Sequence, residues 1–480
     1  MSACVFILDQ GTSVHKLLVF DRQGQVLETF AAPAPTTEHH PDGFGFDGFE
    51  LLKISNELIA QALRKYEQRL MAFGFSNQGE SVIAFDRQTG EPLSNVLSWQ
   101  CQAADVFLAK RQTCFQDLRV LSGLVPSAYF SAAKIGHLFA RRPALLQAAR
   151  NGSLVVGTLD AWMIWHWTRG RAFVTDPTTA CRTQFYDIHQ LDWSDTLLDI
   201  FGVPKICLPK VCENSSFEVL CDDGPFKRRA LPLLASLCDQ PASLIGHGGL
   251  ESPILKTTLG TGAFVDLSRA DGTAHTGLLK SILYGSGGKA QYYSEGGVLS
   301  FSSAFDWLEN RLGIPRKAAF DALDGDDDVM VLPAFSGLGA PHFRADIRTR
   351  FGGVGLQASP LSLAAATVRG LVFRVSEIID AMATTQNLPD CVQVDGGASQ
   401  DTVLMQFLAD ALVRPVVVQD LPEMTSLGVC RLVLDRLGEK LKPLSVSQRL
   451  FEPRDQRVPV QYQNWRSWCA EQLASHGDSH

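Results

Sequence analysis

Two short stretches, far apart in this chain, share the same order of residue types. Ile7-Leu8-Asp9-Gln10-Gly11-Thr12-Ser13 leads into Leu17-Leu18-Val19-Phe20-Asp21, and Thr257-Thr258-Leu259-Gly260-Thr261-Gly262 leads into Ala263-Phe264-Val265-Asp266. Each predicts a strand, a Gly-Thr turn and a second strand. The glycine lets the backbone approach a ligand, and the turn N–H groups and threonine hydroxyl form a small anion-binding nest. Either turn alone is more often an ordinary surface turn. Together they predict two related halves that face one polyphosphate.

The length of the chain predicts two large domains, because 480 residues exceed what one hydrophobic core usually organises. We place the boundary near residue 245, where the loop Gly246-His247-Gly248-Gly249 precedes the second hairpin. The expected domains are therefore residues 1–245 and 246–480. Strand and helix patterns alternate in both, which is typical of an α/β fold.

The composition excludes several classes of protein. A net charge of −8 argues against a general binder of nucleic acid or of an anionic membrane surface. The 11 cysteines include no CxxC pair, so we expect neither a zinc site nor a disulfide framework. The first strand reaches Asp9 before a signal-peptide apolar run is completed, and no segment has the length of a membrane span. We therefore expect a soluble cytoplasmic protein with reduced thiols.

Apolar periodicity predicts the main elements. Helices are expected over residues 50–73, 103–121, 131–150, 362–385 and 403–412, and strands over residues 73–76, 83–86, 154–157, 279–284, 329–333 and 391–395.

The stretch Asp395-Gly396-Gly397-Ala398-Ser399 follows the third of three candidate ligand-binding strands and leads into a predicted helix. Glycines there allow close approach of a base or ribose, and the helix N-terminus offers N–H groups. Gly-Gly after a strand is weak evidence by itself. Beside the two Gly-Thr hairpins it favours a nucleotide site.

Three charged residues have both a chemical and an ordinary interpretation. Asp9 could hold Mg²⁺ through water or cap a turn, and Lys16 could reach phosphate oxygens or be an exposed strand lysine. Asp239 could take a proton from a hydroxyl that attacks a γ-phosphate, or it could be a helix cap.

At this point the residues resemble a family, the FGGY carbohydrate kinases, and among them the members that phosphorylate glycerol. The resemblance runs from Asp9 to about Gly428 and rests on the order of several stretches. These are Leu8-Asp9-Gln10-Gly11-Thr12, Ser76-Asn77-Gln78-Gly79-Glu80, Thr89-Gly90-Glu91-Pro92-Leu93, Trp99-Gln100-Cys101, Tyr129-Phe130-Ser131 with Lys134, Gly157-Thr158-Leu159-Asp160-Ala161-Trp162, Thr175-Asp176-Pro177-Thr178-Thr179-Ala180, Asp239-Gln240, Gly260-Thr261-Gly262, Pro333-Ala334-Phe335-Ser336-Gly337-Leu338-Gly339-Ala340-Pro341 and Asp395-Gly396-Gly397-Ala398.

The resemblance implies two actin-like, ribonuclease-H-like domains with an active-site cleft between them, closing over MgATP and a polyol. It assigns Asp239 as general base, and Asp9 with Asp239 to the metal. The phosphates would meet Gly11, Thr12, Ser13, Lys16, Gly260 and Thr261, and the adenosine would meet Gly396, Gly397 and Ala398. The polyol would meet Glu80, Trp99, Tyr129, Asp239, Gln240 and Phe264. A homo-oligomer, such as a dimer, is compatible with this assignment.

The chain departs from the glycerol-phosphorylating members at several positions. Gly79 stands where they carry an arginine that binds substrate hydroxyls, so we expect open space there, which a larger or differently substituted polyol or ketose could fill. The other departures are Gln102 and Lys16 in place of arginines, Ser13-Val14 in place of Thr-Ser, and Asp401-Thr402 in place of an asparagine pair. The leading hypothesis is an ATP-dependent polyol or sugar kinase. The alternatives are a non-catalytic nucleotide-dependent sensor or scaffold, and an actin-like or chaperone-like ATPase.

Overall fold

The computed structural model describes residues 3–269, 277–325, 328–419, 423–441 and 447–474, without the side chains of Gln112 and Phe115. Packing divides the chain into two compact units. The first comprises Met1–Glu251, Lys280–Tyr292 and Glu423–Leu444, and the second comprises Ser252–Leu279, Tyr293–Pro422 and Ser445–His480. The division falls six residues after the boundary expected at 245, and two later segments belong to the first unit.

The strands of the described residues are, in chain order, β1 (Cys4–Gln10), β2 (Val14–Asp21), β3 (Val26–Pro33), β4 (Glu38–His40), β5 (Gly43–Phe46), β6 (Leu70–Asn77), β7 (Val82–Asp86), β8 (Val96–Leu97), β9 (Leu154–Thr158), β10 (Val174–Thr175), β11 (Tyr186–Asp187), β12 (Asp192–Trp193), β13 (Lys210–Val211), β14 (Val219–Cys221), β15 (Leu231–Cys238), β16 (Leu255–Leu259), β17 (Ala263–Ser268), β18 (Leu279–Ser286), β19 (Lys289–Val298), β20 (Met330–Leu332), β21 (Arg350–Gly352), β22 (Val392–Asp395), β23 (Val416–Gln419) and β24 (Gln448–Phe451). The α-helices are α1 (Gly48–Tyr66), α2 (Asp105–Ala109), α3 (Phe115–Ser122), α4 (Ser131–Arg141), α5 (Pro143–Arg150), α6 (Leu159–Trp167), α7 (Pro177–Ala180), α8 (Asp195–Phe201), α9 (Asp239–Gly246), α10 (Ser302–Leu312), α11 (Arg316–Asp321), α12 (Pro360–Ala383), α13 (Thr402–Leu412), α14 (Met424–Arg436) and α15 (Arg457–Ala474).

The main sheet of the first unit has the order β14-β15-β6-β1-β2-β3. Strands β1, β2 and β3 form an antiparallel meander, whereas β1, β6 and β15 run parallel. Apolar residues of these strands pack under α1 and α6 in one buried core. A second core of this unit lies between α3, α4, α8 and the sheet β4-β5-β8-β7-β9.

The second unit repeats this arrangement. Six strands of its sheet have the order β19-β17-β16-β22-β23-β24. Strands β16, β17 and β19 are antiparallel, whereas β16, β22 and β23 run parallel. The long helix α12 and the helices α13 and α15 contribute most of its buried core. The shared strand order confirms the two related halves that the hairpins predicted, and it agrees with the ribonuclease-H-like domains that the resemblance implied.

Two helices of the first unit cross at unusually short range. A Cβ on Gly428 of α14 would collide with the carbonyl of Ala242 in α9, and a Cβ on Gly246 would collide with the carbonyl of Met424. Glycine at both positions lets the two backbones touch. Helix α14 also covers β1, β6 and β15, where Val429 and Val433 pack against Gly74. The crossing therefore fixes the start of α9 relative to the parallel strands.

Three predicted helices end or break where the pattern did not indicate it. The helix expected over residues 50–73 ends at Tyr66, and β6 begins at Leu70, because the apolar run that follows suits a buried strand as well as a helix. The one expected over 131–150 divides at Pro143, which lacks the N–H that a continuing helix needs. The one expected over 103–121 is two helices, α2 and α3. None of the helices in the described ranges combines the length and apolar character that crossing a membrane requires.

Candidate active site

Three carboxylates follow the carboxyl ends of three adjacent parallel strands in the first unit. Asp9 lies near the end of β1, Glu80 lies three residues after β6, and Asp239 directly follows β15. The register places Asp9 beside Ser76, and Leu237 beside the same serine on the other side. Since carboxyl ends of parallel strands meet at one edge of a sheet, that edge collects these acidic groups in the place where α/β proteins bind ligands.

Asp239 is the first residue of α9. Its Oδ1 atom accepts hydrogen bonds from the backbone N–H of Gln240, at 2.8 Å, and from the thiol of Cys238, at 3.4 Å. Burial and the negative charge of Glu80 raise the pKa of Asp239 to about 6. A carboxylate with that pKa is ionised at neutral pH and still basic enough to take up a proton, which is the property of a general base.

Glu80 is held by buried groups through both its side chain and its backbone. Its Oε1 atom accepts a hydrogen bond of 2.6 Å from Nε of Arg182. Its carbonyl oxygen accepts from Oγ of Ser131 at 3.0 Å and from Nζ of Lys134 at 3.1 Å. The same ammonium donates to the carbonyl of Tyr129 at 2.7 Å. Burial lowers the pKa of Lys134 to about 7. Two positively charged side chains thus fix Glu80 and the backbone of Tyr129.

Gly79 does not open the space that the sequence predicted, so the expectation of open volume beside it is wrong. An ideal Cβ at this position would lie 2.6 Å from Sγ of Cys238 and 2.9 Å from Cγ of Arg182. Contacts this short do not occur between real side chains, so the volume beside Gly79 is already filled. A larger substrate cannot gain room there.

Trp99 and Tyr129 form an aromatic pair beside these polar groups. Their ring centroids are 5.9 Å apart, in an edge-to-face arrangement, and both side chains are half-buried. The indole N–H of Trp99 donates to the hydroxyl of Thr12 in the first Gly-Thr turn, at 3.2 Å. The backbone N–H of Trp99 donates to Oγ of Ser81 at 3.0 Å. The pair offers an apolar wall of the kind that excludes water from a carbohydrate site.

Asp9 lies near two other negatively charged side chains. Burial, Asp239 and Glu423 raise its pKa to about 7, against the opposing effects of Ser76 and Lys16. Nζ of Lys16 lies 2.8 Å from Oε1 of Glu423, so the lysine is in an ion pair. No group of three or more His, Cys, Asp or Glu residues arranged to hold a metal occurs within the described ranges. The two carboxylates of Asp9 and Asp239 fit a hydrated Mg²⁺, because that ion takes its other ligands from water and phosphate.

In the second unit the two predicted nucleotide turns meet at one sheet edge. Strands β16 and β22 are parallel neighbours, with Thr258 beside Asp395, so Gly260-Thr261 and Gly396-Gly397 follow adjacent strand ends. Gly396 has a φ of +91°, and a Cβ there would lie 2.6 Å from the carbonyl oxygen of Leu259. Only glycine fits this approach. Gly396 and Gly397 are exposed, whereas Ala398 is buried.

The second Gly-Thr turn is also hydrogen-bonded to the start of a helix. The carbonyl of Thr261 accepts from the backbone N–H of Phe301 at 2.8 Å, and the carbonyl of Gly260 accepts from the N–H of Ser302 at 3.1 Å. The turn is therefore anchored to the N-terminus of α10, which leaves its own hydroxyl and exposed face for other contacts.

A buried lysine lies under this edge. Nζ of Lys256 is 3.4 Å from Oδ2 of Asp266 and 3.9 Å from Oδ2 of Asp395, and the side chains of Lys256 and Asp266 are completely buried. Asp395 itself is about one-quarter exposed. The lysine links β17 and β22 through charge, since Asp266 and Asp395 lie on the strands to either side of β16.

Comparison with known proteins identifies the fold and its relatives. The model of the FGGY family of carbohydrate kinases, N-terminal domain, matches residues 4–246, and the C-terminal domain model matches residues 255–433. This chain belongs to the FGGY family. The FGGY kinase is therefore a phosphotransferase of the carbohydrate kinase class, as its motifs predicted.

Curated relatives of the FGGY kinase extend over almost the whole chain. It is 30% identical to the glycerol kinase of Lactobacillus acidophilus over 99% of each chain. It is 34% identical to the glycerol kinase of Lachnoclostridium phytofermentans, over 90% of this chain and 89% of the relative.

Solved structures share its fold. Plasmodium falciparum glycerol kinase with ADP superimposes with a TM-score of 0.87 at 24% identity, covering 98% of both chains. Ligand-bound xylulose kinase from Lactobacillus acidophilus gives 0.88 at 18% identity, covering 99% of both chains. These matches confirm the two-domain α/β fold.

The structure brings together most predicted site residues within each unit. Glu80, Trp99, Tyr129, Asp239 and Gln240 lie in the first unit of the FGGY kinase, and Phe264 lies on β17 in the second.

Four residues that contact this set were not assigned a role from the sequence: Arg182, Lys134, Glu423 and Cys238. A charged residue within an apolar run, such as Lys134 on α4, was the one local signal available. For Arg182 and Glu423, the partners Glu80 and Lys16 are too distant in sequence for a pattern to pair them.

Proposed function

We propose that this FGGY kinase transfers the γ-phosphoryl group of ATP to a hydroxyl of a small polyol or sugar. The observation that carries this proposal is the half-buried carboxylate of Asp239 at a strand end, with its pKa raised to about 6 and Glu80 beside it. The resemblance to glycerol kinases makes glycerol the first substrate to test.

Asp239 would act as the general base. It would accept the proton of the attacking hydroxyl as the bond to phosphorus forms, and the hydrogen bond from the N–H of Gln240 would keep its carboxylate oriented. Glu80 and the amide of Gln240 would accept and donate hydrogen bonds to neighbouring hydroxyls. Trp99 and Tyr129 would line the carbon chain, and Phe264 is proposed for the same role.

ATP is proposed to bind through the two repeated turns. Gly11, Thr12, Ser13 and Lys16 of the first hairpin and Gly260 and Thr261 of the second would meet phosphate oxygens. Gly396, Gly397 and Ala398 would meet the adenosine, because the glycines leave the backbone bare. In domain terms, we assign the polyol to the first domain and the adenosine to the second.

Mg²⁺ would be held by Asp9, with Asp239 close by. The excess of carboxylate charge around Asp9 favours a divalent cation there. When bound, the ion neutralises charge on the phosphates.

Free thiols favour a reducing compartment, and we infer the cytoplasm from them, since all 11 cysteines are unpaired. A homodimer is also proposed.

The decisive experiment is coupled ADP release with the purified full chain on a panel of acceptors, including glycerol, erythritol, xylitol and xylulose. We expect at least one acceptor to stimulate ADP release, and Asp239→Asn to lose this stimulation while still binding ATP. The matched control is Asp195→Asn, because that side chain on α8 is 83% exposed. Full activity in Asp239→Asn would overturn the assignment of the base. Bound ATP without stimulation by any acceptor would instead support a nucleotide-dependent sensor.

A further inference from the structure

The backbone at Gly79 is enclosed by two side chains from distant parts of the first unit. Arg182 lies in the short helical segment after α7, and Cys238 ends β15. Their Cγ and Sγ atoms occupy the positions that a side chain at residue 79 would need. The absence of a side chain at Gly79 is thus matched by the presence of these two.

Arg182 is fixed in place at several points. Its Nε donates to Oε1 of Glu80 at 2.6 Å, its Nη1 donates to Oγ of Ser281 at 2.8 Å, and the residue is 1% exposed. Its guanidinium also lies 5.7 Å from the ring centroid of Phe130. A planar guanidinium held this way offers its carboxylate partner a single geometry.

We propose that Arg182 is a positioning residue of the acceptor site, which fixes the Glu80 carboxylate toward the acceptor. This inference rests on the proposed function, since it takes Glu80 to bind the acceptor. The buried guanidinium next to Glu80 therefore comes from residue 182, 102 positions along the chain from its partner.

The charges around this pair indicate the class of acceptor. Arg182 is paired with Glu80, and the ammonium of Lys134 donates to two backbone carbonyls. Glu80 and Asp239 then present hydrogen-bond acceptors and negative charge to a ligand. Such a site favours neutral polyols, whose hydroxyls donate, over sugar acids, whose carboxylates are repelled.

The test is a double-mutant cycle with the full chain. Arg182→Met keeps the volume and removes the guanidinium, and Glu80→Gln removes its partner. For the neutral acceptor that the wild type uses best, we expect Arg182→Met to raise KM by about 100-fold, with KM for ATP changed by less than about threefold. Arg182→Lys should recover part of the affinity, and D-gluconate should remain a poor acceptor for the wild type. On the Glu80→Gln background, Arg182→Met should add no further effect, because Arg182 acts through Glu80.

Ser281→Ala provides a milder variant in case Arg182→Met folds poorly. It removes one anchor of the guanidinium and should raise KM for the acceptor about fivefold, again without affecting ATP. Calorimetric binding of the polyol gives the same comparison without turnover.

Three results would overturn the inference. The first is an acceptor KM that is unchanged in both Arg182→Met and Ser281→Ala. The others are effects of Arg182→Met and Glu80→Gln on KM that multiply in the double variant, and a wild type that prefers D-gluconate. A wild type that neither binds nor phosphorylates any neutral polyol overturns the proposed function as well. A wild type that phosphorylates a polyol with Arg182 dispensable overturns this inference alone.

Discussion

The pH dependence of activity tests whether Asp239 is the base and whether Glu80 sets its basicity. The pKa of Asp239 rises by about two units, from 3.8 to about 6. Burial is the largest cause and the negative charge of Glu80 is the second, so removal of that charge should lower the pKa of Asp239. Since the base must be ionised, kcat/KM for the acceptor at saturating MgATP, where the bound cation would keep Asp9 ionised, should fall about tenfold for each pH unit below about 6.

Glu80→Gln should move this acidic limb to lower pH. The variant removes the negative charge that raises the pKa of Asp239, and it leaves Arg182, whose charge lowers that pKa. Asp9 and Cys238 also face this carboxylate and are unchanged in the variant. The height of the profile should fall as well, so the comparison concerns the position of the limb.

The assay is kcat/KM between pH 4.5 and 8.5 in buffers of constant ionic strength, because kcat/KM reports the free enzyme. Glu91→Gln, which changes an exposed glutamate of the same unit, is the matched control and should leave the limb at about pH 6. A limb that stays in place or moves to higher pH in Glu80→Gln would refute the coupling. A wild-type limb near pH 4 would refute the raised pKa.

Three further predictions concern groups that support the site. Lys256→Met removes an ammonium 3.4 Å from the buried Asp266 carboxylate and should lower the free energy of unfolding by about 3–5 kcal/mol in chemical denaturation. Gly428→Ala should lower the free energy of unfolding by about 3 kcal/mol or more, because its Cβ collides with a carbonyl of α9. Gly355→Ala, whose Cβ meets open space, is the control and should be neutral in the same denaturation experiment. Lys134→Met leaves two buried carbonyls without their ammonium donor and should both destabilise the fold by about 2 kcal/mol and raise the acceptor KM; an unchanged KM would show that this lysine does not position the site.

The sequence predicted features whose signal is local. Apolar runs that end in Asp-Gln-Gly-Thr, Leu-Gly-Thr-Gly or Asp-Gly-Gly contain both the strand and its turn within about ten residues, so β1, β16 and β22 and their strand ends were found. The residues assigned to the polyol also come from local motifs, and their roles stay predictions. The relation between the two halves also followed, because a repeated hairpin needs no knowledge of tertiary contacts.

Contacts between distant residues escaped prediction. Lys16 pairs with Glu423 across 407 positions, and the guanidinium of Arg182 reaches Glu80 across 102. The error at Gly79 has the same origin. A missing side chain was interpreted as empty volume, whereas close packing fills such volume from wherever the chain passes. Which residue fills it depends on the fold and leaves no mark in the neighbouring sequence.

The crossing of α9 and α14 has a consequence for how the protein is made. Helix α14 follows nearly all of the second unit in the chain, yet it covers the strands that carry Asp9 and Asp239. At 5–20 residues per second, a ribosome needs on the order of 10 to 30 s to go from Glu251 to Glu423. Through that interval the face of the first sheet that α14 will cover stays bare, with its apolar residues accessible to chaperones and to other nascent chains. A fragment that stops before residue 424 would keep every acceptor-site residue of the first 251 positions and still lack the helix that holds Asp239 in place.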